Sequence, residues 1–128
     1  MTATLITEFE FVLPRGLIDE MGQVHRRGVM RLATAKDELI AQKTPAVRKH
    51  PEYLMLVMLS QVIVQIGTLS QVSSLQLEQL FTQDLKYLKA LYNHLNQHGH
   101  PYVATQCPDC NHSFEVEMSL VGESLATP

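Results

Sequence analysis

One motif near the C-terminus of the sequence is suited to metal or thiol chemistry. Cys107 and Cys110 enclose a Pro-Asp pair and are followed by Asn111 and His112. In such a knuckle two backbone turns aim both sulfurs at one point, and Asn111 tolerates the left-handed conformation that the residue after the second cysteine often takes. A tetrahedral zinc site takes four ligands, and this motif supplies two thiolates at proper spacing. The motif therefore predicts one half of a zinc site.

The ligands that would complete this site are nearby histidines or thiolates of a second copy of the chain. His112 follows the motif directly, while His94, His98 and His100 lie just upstream. We take His112 and His100, together with the two cysteines, as the candidate metal ligands. The sequence contains no second C-x-x-C motif, so structural zinc and a metal-free pair of thiols stay open as equal alternatives.

No other residues form a pattern typical of catalysis. A redox-active C-x-x-C motif opens a helix, whereas an alternating strand pattern follows this one. The sequence lacks a nucleophile elbow, a zincin motif and a Gly-rich phosphate loop. We interpret Asp37, Glu38 and Asp84 as residues of first helical turns, where carboxylates act as caps. His25 is interpreted as an exposed strand residue and His50 as a loop residue at the entry to a helix. The chain is therefore predicted not to be an enzyme, and a thiol enzyme is the least favoured alternative.

Composition favours a binding protein of one domain, with at most a small appendage. The chain has 128 residues, of which 45% are hydrophobic and 18% are charged, against about 25% charged residues in an average domain. Part of the apolar surface is therefore expected to be covered by a protein partner. The formal net charge of −3 and the lack of a basic stripe make nucleic acid an unfavoured partner.

Sequence features also bear on the location of the chain. The longest apolar run, residues 53–66, is interrupted by polar side chains and is shorter than the roughly 20 apolar residues of a membrane span. The first ten residues carry no basic segment of the kind found in secretory signals. Two cysteines do not make a secreted disulfide framework. We therefore predict a cytoplasmic protein without membrane association.

Periodicity predicts the strands that precede and follow the helices. Residues 4–12 alternate loosely and predict a strand, with turn signals at residues 13–16 and 19–22. Residues 24–32 alternate weakly, so we expect an N-terminal antiparallel pair with a long connection. Residues 102–105 and 113–118 predict a second hairpin around the C-x-x-C motif.

Caps and stop signals predict about four helices between the hairpins. The first is capped by Thr34 and ends near Gln42, and the second, over 53–66, is expected to be central and most buried, with strand as a minor alternative. A short third helix runs from Ser73 or Ser74 to about 80. The fourth covers 83–97 and is capped by Thr82. The last of these carries an apolar stripe formed by Leu85, Leu88, Leu91, Tyr92 and Leu95.

These elements predict an α+β fold with three segments. Residues 1–98 hold the hairpin and the helical body, residues 99–121 hold a C-x-x-C β-hairpin resembling half of a zinc ribbon, and residues 122–128 are expected to be a flexible tail.

The order of these motifs resembles a family of phage proteins. Residues 8–38, EFEFVLPRGLIDEMGQVHRRGVMRLATAKDE, are similar to the start of small phage tail-assembly proteins, in which a β-hairpin ends in a helix start of the type R-x-A-T-x-x-D/E. The residues that carry this match are Arg31, Ala33, Thr34, Asp37 and Glu38. The helical stretch also looks like those proteins, and the C-terminal hairpin resembles the baseplate-hub assembly proteins of T-even-type phages and of contractile injection clusters.

This resemblance implies a cytoplasmic assembly factor or a small baseplate component of a phage-tail-like contractile particle. Its partners would be tail tube, tape-measure or baseplate-hub subunits, and a homo-oligomer is compatible with the sequence. Binding is expected to use the edge of the N-terminal hairpin and the apolar helical body. The alternative is an adaptor of the zinc-ribbon type that binds nucleic acid or protein.

Overall fold

The structure is a computed structural model, and it describes residues 7–117. It confirms the α+β fold with a β-hairpin at each end of a helical region. The strands are β1 (Glu8–Ile18), β2 (Val24–Arg31), β3 (Ile63–Ile66), β4 (Tyr102–Gln106) and β5 (Ser113–Glu117). The helices are α1 (Ala35–Lys43), α2 (Pro45–Lys49), α3 (Leu54–Val62), α4 (Ser74–Leu77) and α5 (Thr82–His98). The tail expected over 122–128, and the ends of the predicted segments at 1–6 and 118–121, lie outside the described residues.

The strands form two separate antiparallel sheets. A three-stranded sheet has the order β1-β2-β3, while β4 pairs only with β5 within the described residues. The buried apolar side chains of the larger sheet pack against α3 and α5 in one core. The predicted apolar stripe of α5 is confirmed, since Leu88, Leu91 and Leu95 are fully buried. The C-terminal hairpin follows α5, which packs in this core.

The predicted start of α1 is confirmed. Thr34 accepts a hydrogen bond from the Asp37 amide, and the Asp37 carboxylate accepts one from the Thr34 amide at 2.8 Å, which completes a capping box. Asp37 also receives both arms of the Arg31 guanidinium, at 2.7 and 2.8 Å. The Arg31 and Asp37 positions of the family-like segment therefore form an ion pair that joins β2 to α1.

The predicted central helix over residues 53–66 is wrong in its second half. A 3-10 turn, Pro51–Tyr53, leads into α3, which ends at Val62, and the chain then forms β3. Two effects favour a strand here: β-branched residues are favoured in strands, and the open side of β2 offers hydrogen-bonding partners. Gly28 pairs with Ile66, and Ile66 is fully buried. The minor alternative of a strand is correct for these four residues.

The N-terminal pair has no long connection, contrary to prediction. β1 continues through the Pro-Gly segment at residues 13–16, and the chain reverses only at the second turn signal. There the Asp19 amide donates to the Gln23 carbonyl at 2.9 Å, and Gly22 adopts a positive φ of 82°. The first turn signal marks instead a large bulge, since the pairing shifts between Val12 and Leu17.

The bulge in β1 is held by a buried carboxylate of α5. Asp84 accepts hydrogen bonds from the amides of Arg15 and Gly16, at 2.8 and 2.9 Å, and its side chain is fully buried. From the neighbouring strand β2, the Arg26 guanidinium donates a hydrogen bond to the Leu13 carbonyl at 3.0 Å. Asp84 does lie in the first turn of α5, but its carboxylate binds strand amides, so the prediction that capping explains this residue is wrong.

Candidate functional site

The C-x-x-C motif forms a tight knuckle between β4 and β5. The Cys107 amide donates to the His112 carbonyl at 2.9 Å, and the Asn111 amide donates back to the Cys107 carbonyl at 2.8 Å. Asn111 adopts the expected left-handed conformation, with φ of 59°. Five cross-strand pairs, from Tyr102 with Glu117 to Gln106 with Ser113, extend the hairpin below the turn. The knuckle is therefore closed by hydrogen bonds between residues of the hairpin itself.

The two thiols of the knuckle face each other. Cys107 and Cys110 lie 3.4 Å apart and interact through their side chains. The pKa of the Cys107 thiol is lowered, first by a hydrogen bond from the Cys110 backbone and then by one from the Asp109 backbone. Cys110 is exposed and Cys107 is half-buried. This arrangement favours a thiolate that solvent, a metal ion or a second protein can reach.

The structure does not bring the predicted histidine ligands to the thiols. His112 stacks on Phe114 with 14° between the rings and 6.3 Å between their centroids. His100 lies at the opposite end of the hairpin, where its Nδ1 accepts a hydrogen bond from the Tyr102 amide at 3.1 Å. Because Cys107 is five positions beyond Tyr102 along extended chain, the backbone positions of these two residues are roughly 16 Å apart. Within residues 7–117, no group of three or more His, Cys, Asp or Glu side chains is arranged to hold a metal ion.

A cluster of three imidazoles lies at the base of the hairpin. The ring centroids of His94 and His98 are 4.5 Å apart, and that of His100 lies 5.8 Å from each. His94 Nε2 lies 2.8 Å from the Tyr102 carbonyl. Together with the His100 contact, this fixes the first residue of β4 on the end of α5. The cluster therefore orients the hairpin, a role that sequence proximity did not predict.

The remaining hairpin surface is open on both faces. Phe114 is 44% and Val103 36% exposed. The register places Val103 beside Val116 and Thr105 beside Phe114 on one face, while Glu115 and Glu117 lie on the other. An isolated two-stranded hairpin is marginally stable in water. The apolar face is therefore a surface that a partner would stabilise.

A second open apolar surface lies on the helical body. A groove of about 530 Å³ between α1, α3 and α5 is lined by Ala35, Glu38, Leu39, Gln42, Leu54, Met55, Met58 and Tyr92. Leu39 stands at this groove with 61% of its surface exposed. Sequence reasoning pointed to the apolar helical body but not to Leu39. Its exposure depends on how α1 is turned against α3, which no local pattern encodes.

The buried charged residues of the body serve the fold. The Arg31 guanidinium beside Asp37 holds the pKa of that carboxyl well below its usual range. Burial raises the pKa of Asp84. His25 lies in a strand as predicted, but it is buried and not exposed. Its Nε2 lies 2.8 Å from an Asp19 carboxylate oxygen, and this contact lowers the pKa of Asp19. Each group is held by a partner inside the fold.

Comparison with protein families, curated proteins and solved structures found no match to this chain. Across residues 7–117, none of the helices combines the length and the apolar character needed to cross a bilayer. The likeness of residues 8–38 to phage tail-assembly proteins stays a prediction.

Proposed function

We propose that this chain is a non-enzymatic, cytoplasmic assembly factor or small baseplate component of a contractile, phage-tail-like particle. It binds a tail tube, tape-measure or baseplate-hub subunit. The proposal combines the likeness of residues 8–38 to tail-assembly proteins with one observation, the open apolar groove between α1, α3 and α5. A groove of this kind accepts the apolar face of a partner helix.

The chemistry of the groove suits an adaptable helix-binding surface. Met55 and Met58 lie in its floor, and methionine side chains adjust to partners of varied shape. Leu39 offers an apolar anchor at the rim. Glu38 is the acidic residue of the lining, so it favours a partner helix with a basic residue beside its apolar face.

Strand addition to the N-terminal sheet is the less favoured route. The bulged part of the β1 edge already donates its amides to Asp84, and the Tyr87 hydroxyl hydrogen bonds with the backbone of Val12. Edge strands covered by a helix in this way are protected from pairing with other chains. Because these contacts cover the edge of β1, the groove is the favoured binding surface.

The test is co-expression of the full chain with each tube, tape-measure and hub subunit encoded beside it. We expect one of these subunits to co-purify with the wild-type chain. Leu39→Glu places a charge in the groove and should weaken that complex at least tenfold. The matched control is Ile40→Glu, because Ile40 is 45% exposed on the same helix but does not line the groove.

Two results would refute this proposal. One is that no subunit binds the chain while particles assemble normally in a strain that lacks it. The other is that Leu39→Glu and Ile40→Glu weaken the complex equally, which would place the contact elsewhere.

A zinc-ribbon adaptor for nucleic acid or protein is the second candidate, and the knuckle geometry favours it. It requires bound zinc, and its nucleic-acid form also requires salt-dependent binding of DNA or RNA. The net charge of −3 weakens the nucleic-acid form of this candidate. A titration with short DNA and RNA at low salt tests it, and a flat curve eliminates the nucleic-acid form.

A further inference from the structure

We propose that a zinc ion is bound between two copies of this chain, with Cys107 and Cys110 of each copy as its four ligands. This site does not rest on the assembly role, because it uses the C-terminal knuckle and not the groove. It would make the chain a metal-linked dimer.

The first argument is the geometry of the half-site. Two sulfurs bound at about 2.3 Å to a tetrahedral zinc lie roughly 3.8 Å apart. In the structure Cys107 and Cys110 already lie 3.4 Å apart. The separation of the two cysteines is therefore close to that of two thiolates on one zinc ion.

The second argument is the source of the missing ligands. The sequence has only two cysteines, so one chain cannot supply four thiolates. The nearest histidine in sequence, His112, stacks on Phe114, and the His94–His98–His100 cluster lies at the other end of β4. A closed structural zinc site has four protein ligands. The partner's Cys107 and Cys110 would complete such a site with the same pair that this chain presents.

The third argument is the surface around the knuckle. Cys110 is exposed at the tip of the hairpin, where a second copy of the chain can reach it. A two-fold contact uses the same patch on both chains. The side chain of Phe114, exposed near the tip of each hairpin, would be covered by its counterpart. Dimerisation would thus bury surface that a marginally stable hairpin otherwise leaves in water.

The test is metal titration of the full-length chain, reduced and kept free of oxygen. We expect Co²⁺ to give the intense visible bands of a tetrahedral all-thiolate site and to saturate at one ion for two chains. Zinc should displace it. Light scattering should show the mass doubling from the 14.4 kDa of one chain and returning to that value with a chelator.

Variants identify the ligands. Cys107→Ser and Cys110→Ser should each abolish the doubling of mass, while the unfolding midpoint measured without metal stays unchanged. His112→Ala and His100→Ala are the matched controls and should keep both the stoichiometry and the dimer. The proposal is overturned if one ion binds one chain without a change of mass. Loss of the site in either histidine variant, or no metal binding at micromolar protein, overturns it equally.

Discussion

The helical body and the C-terminal hairpin differ in where their polar and reactive groups find partners. In the body, amides left open by the bulge of β1 bind the fully buried carboxylate of Asp84. In the hairpin, the backbone groups of the tight turn hydrogen bond to one another, whereas the thiols and the apolar face of the hairpin are accessible to solvent. The body is therefore stabilised by contacts within the fold, whereas the hairpin leaves its thiols and apolar side chains exposed. Substitutions in each region should differ accordingly in their effect on stability.

The largest loss of stability is expected from Asp84→Ala. The amides of Arg15 and Gly16 would lose their acceptor inside the protein, which costs about 3 kcal/mol for buried unsatisfied groups. Urea unfolding followed by circular dichroism measures the change. Asp109→Ala in the knuckle is the control and should change the free energy of unfolding by less than about 0.5 kcal/mol. Equal effects of the two changes would remove the contrast between the regions.

Gly67→Ala should cause the next largest loss, lowering the free energy of unfolding by about 2–3 kcal/mol, because the added Cβ would overpack the core. That Cβ would lie 2.2 Å from Nδ1 of the buried His25 at a positive φ of 57°. Gly99→Ala is the matched control, since Gly99 also has a positive φ but has nothing within 4 Å. It should cost only about 1 kcal/mol of backbone strain. Thermal unfolding measures both, and a cost for Gly99→Ala as large as that for Gly67→Ala would contradict the packing argument.

Asp37→Asn should cost about 2 kcal/mol at neutral pH through loss of the charged hydrogen bonds to Arg31. The pKa of Asp37 is lowered in the folded state, so its stabilisation is present above the unfolded value of about 3.9 and is lost as the pH falls below it. Urea unfolding of both proteins across this range should show the difference shrinking in acid. A difference that stays constant would show that the ion pair is not its source.

The smallest effect on the body is expected from the double variant Cys107→Ser, Cys110→Ser. Without metal its free energy of unfolding should match that of the wild-type chain to within about 0.5 kcal/mol, since the thiols lie outside the core. Zinc should raise the melting temperature of the wild-type chain but not that of the variant. Calorimetry with and without zinc measures both, and a metal-free loss as large as that of Asp84→Ala would show that the knuckle supports the core.

The sequence alone determined those features whose partners are close along the chain. The Thr34–Asp37 capping box, the leucine stripe of α5 and the knuckle with its left-handed Asn111 depend on neighbours a few residues away. Those interactions form wherever the segment lies, so periodicity and turn chemistry predict them.

Only the tertiary structure decided the features whose partners are distant. Gly16 and Asp84 are 68 residues apart, and β3 forms because β2 offers an open edge. The same distance effect separates His100 from the cysteines, since strand β4 carries the knuckle away from the end of α5. A residue pattern indicates which functional groups are present, but the packing of the body determines which of them come into contact.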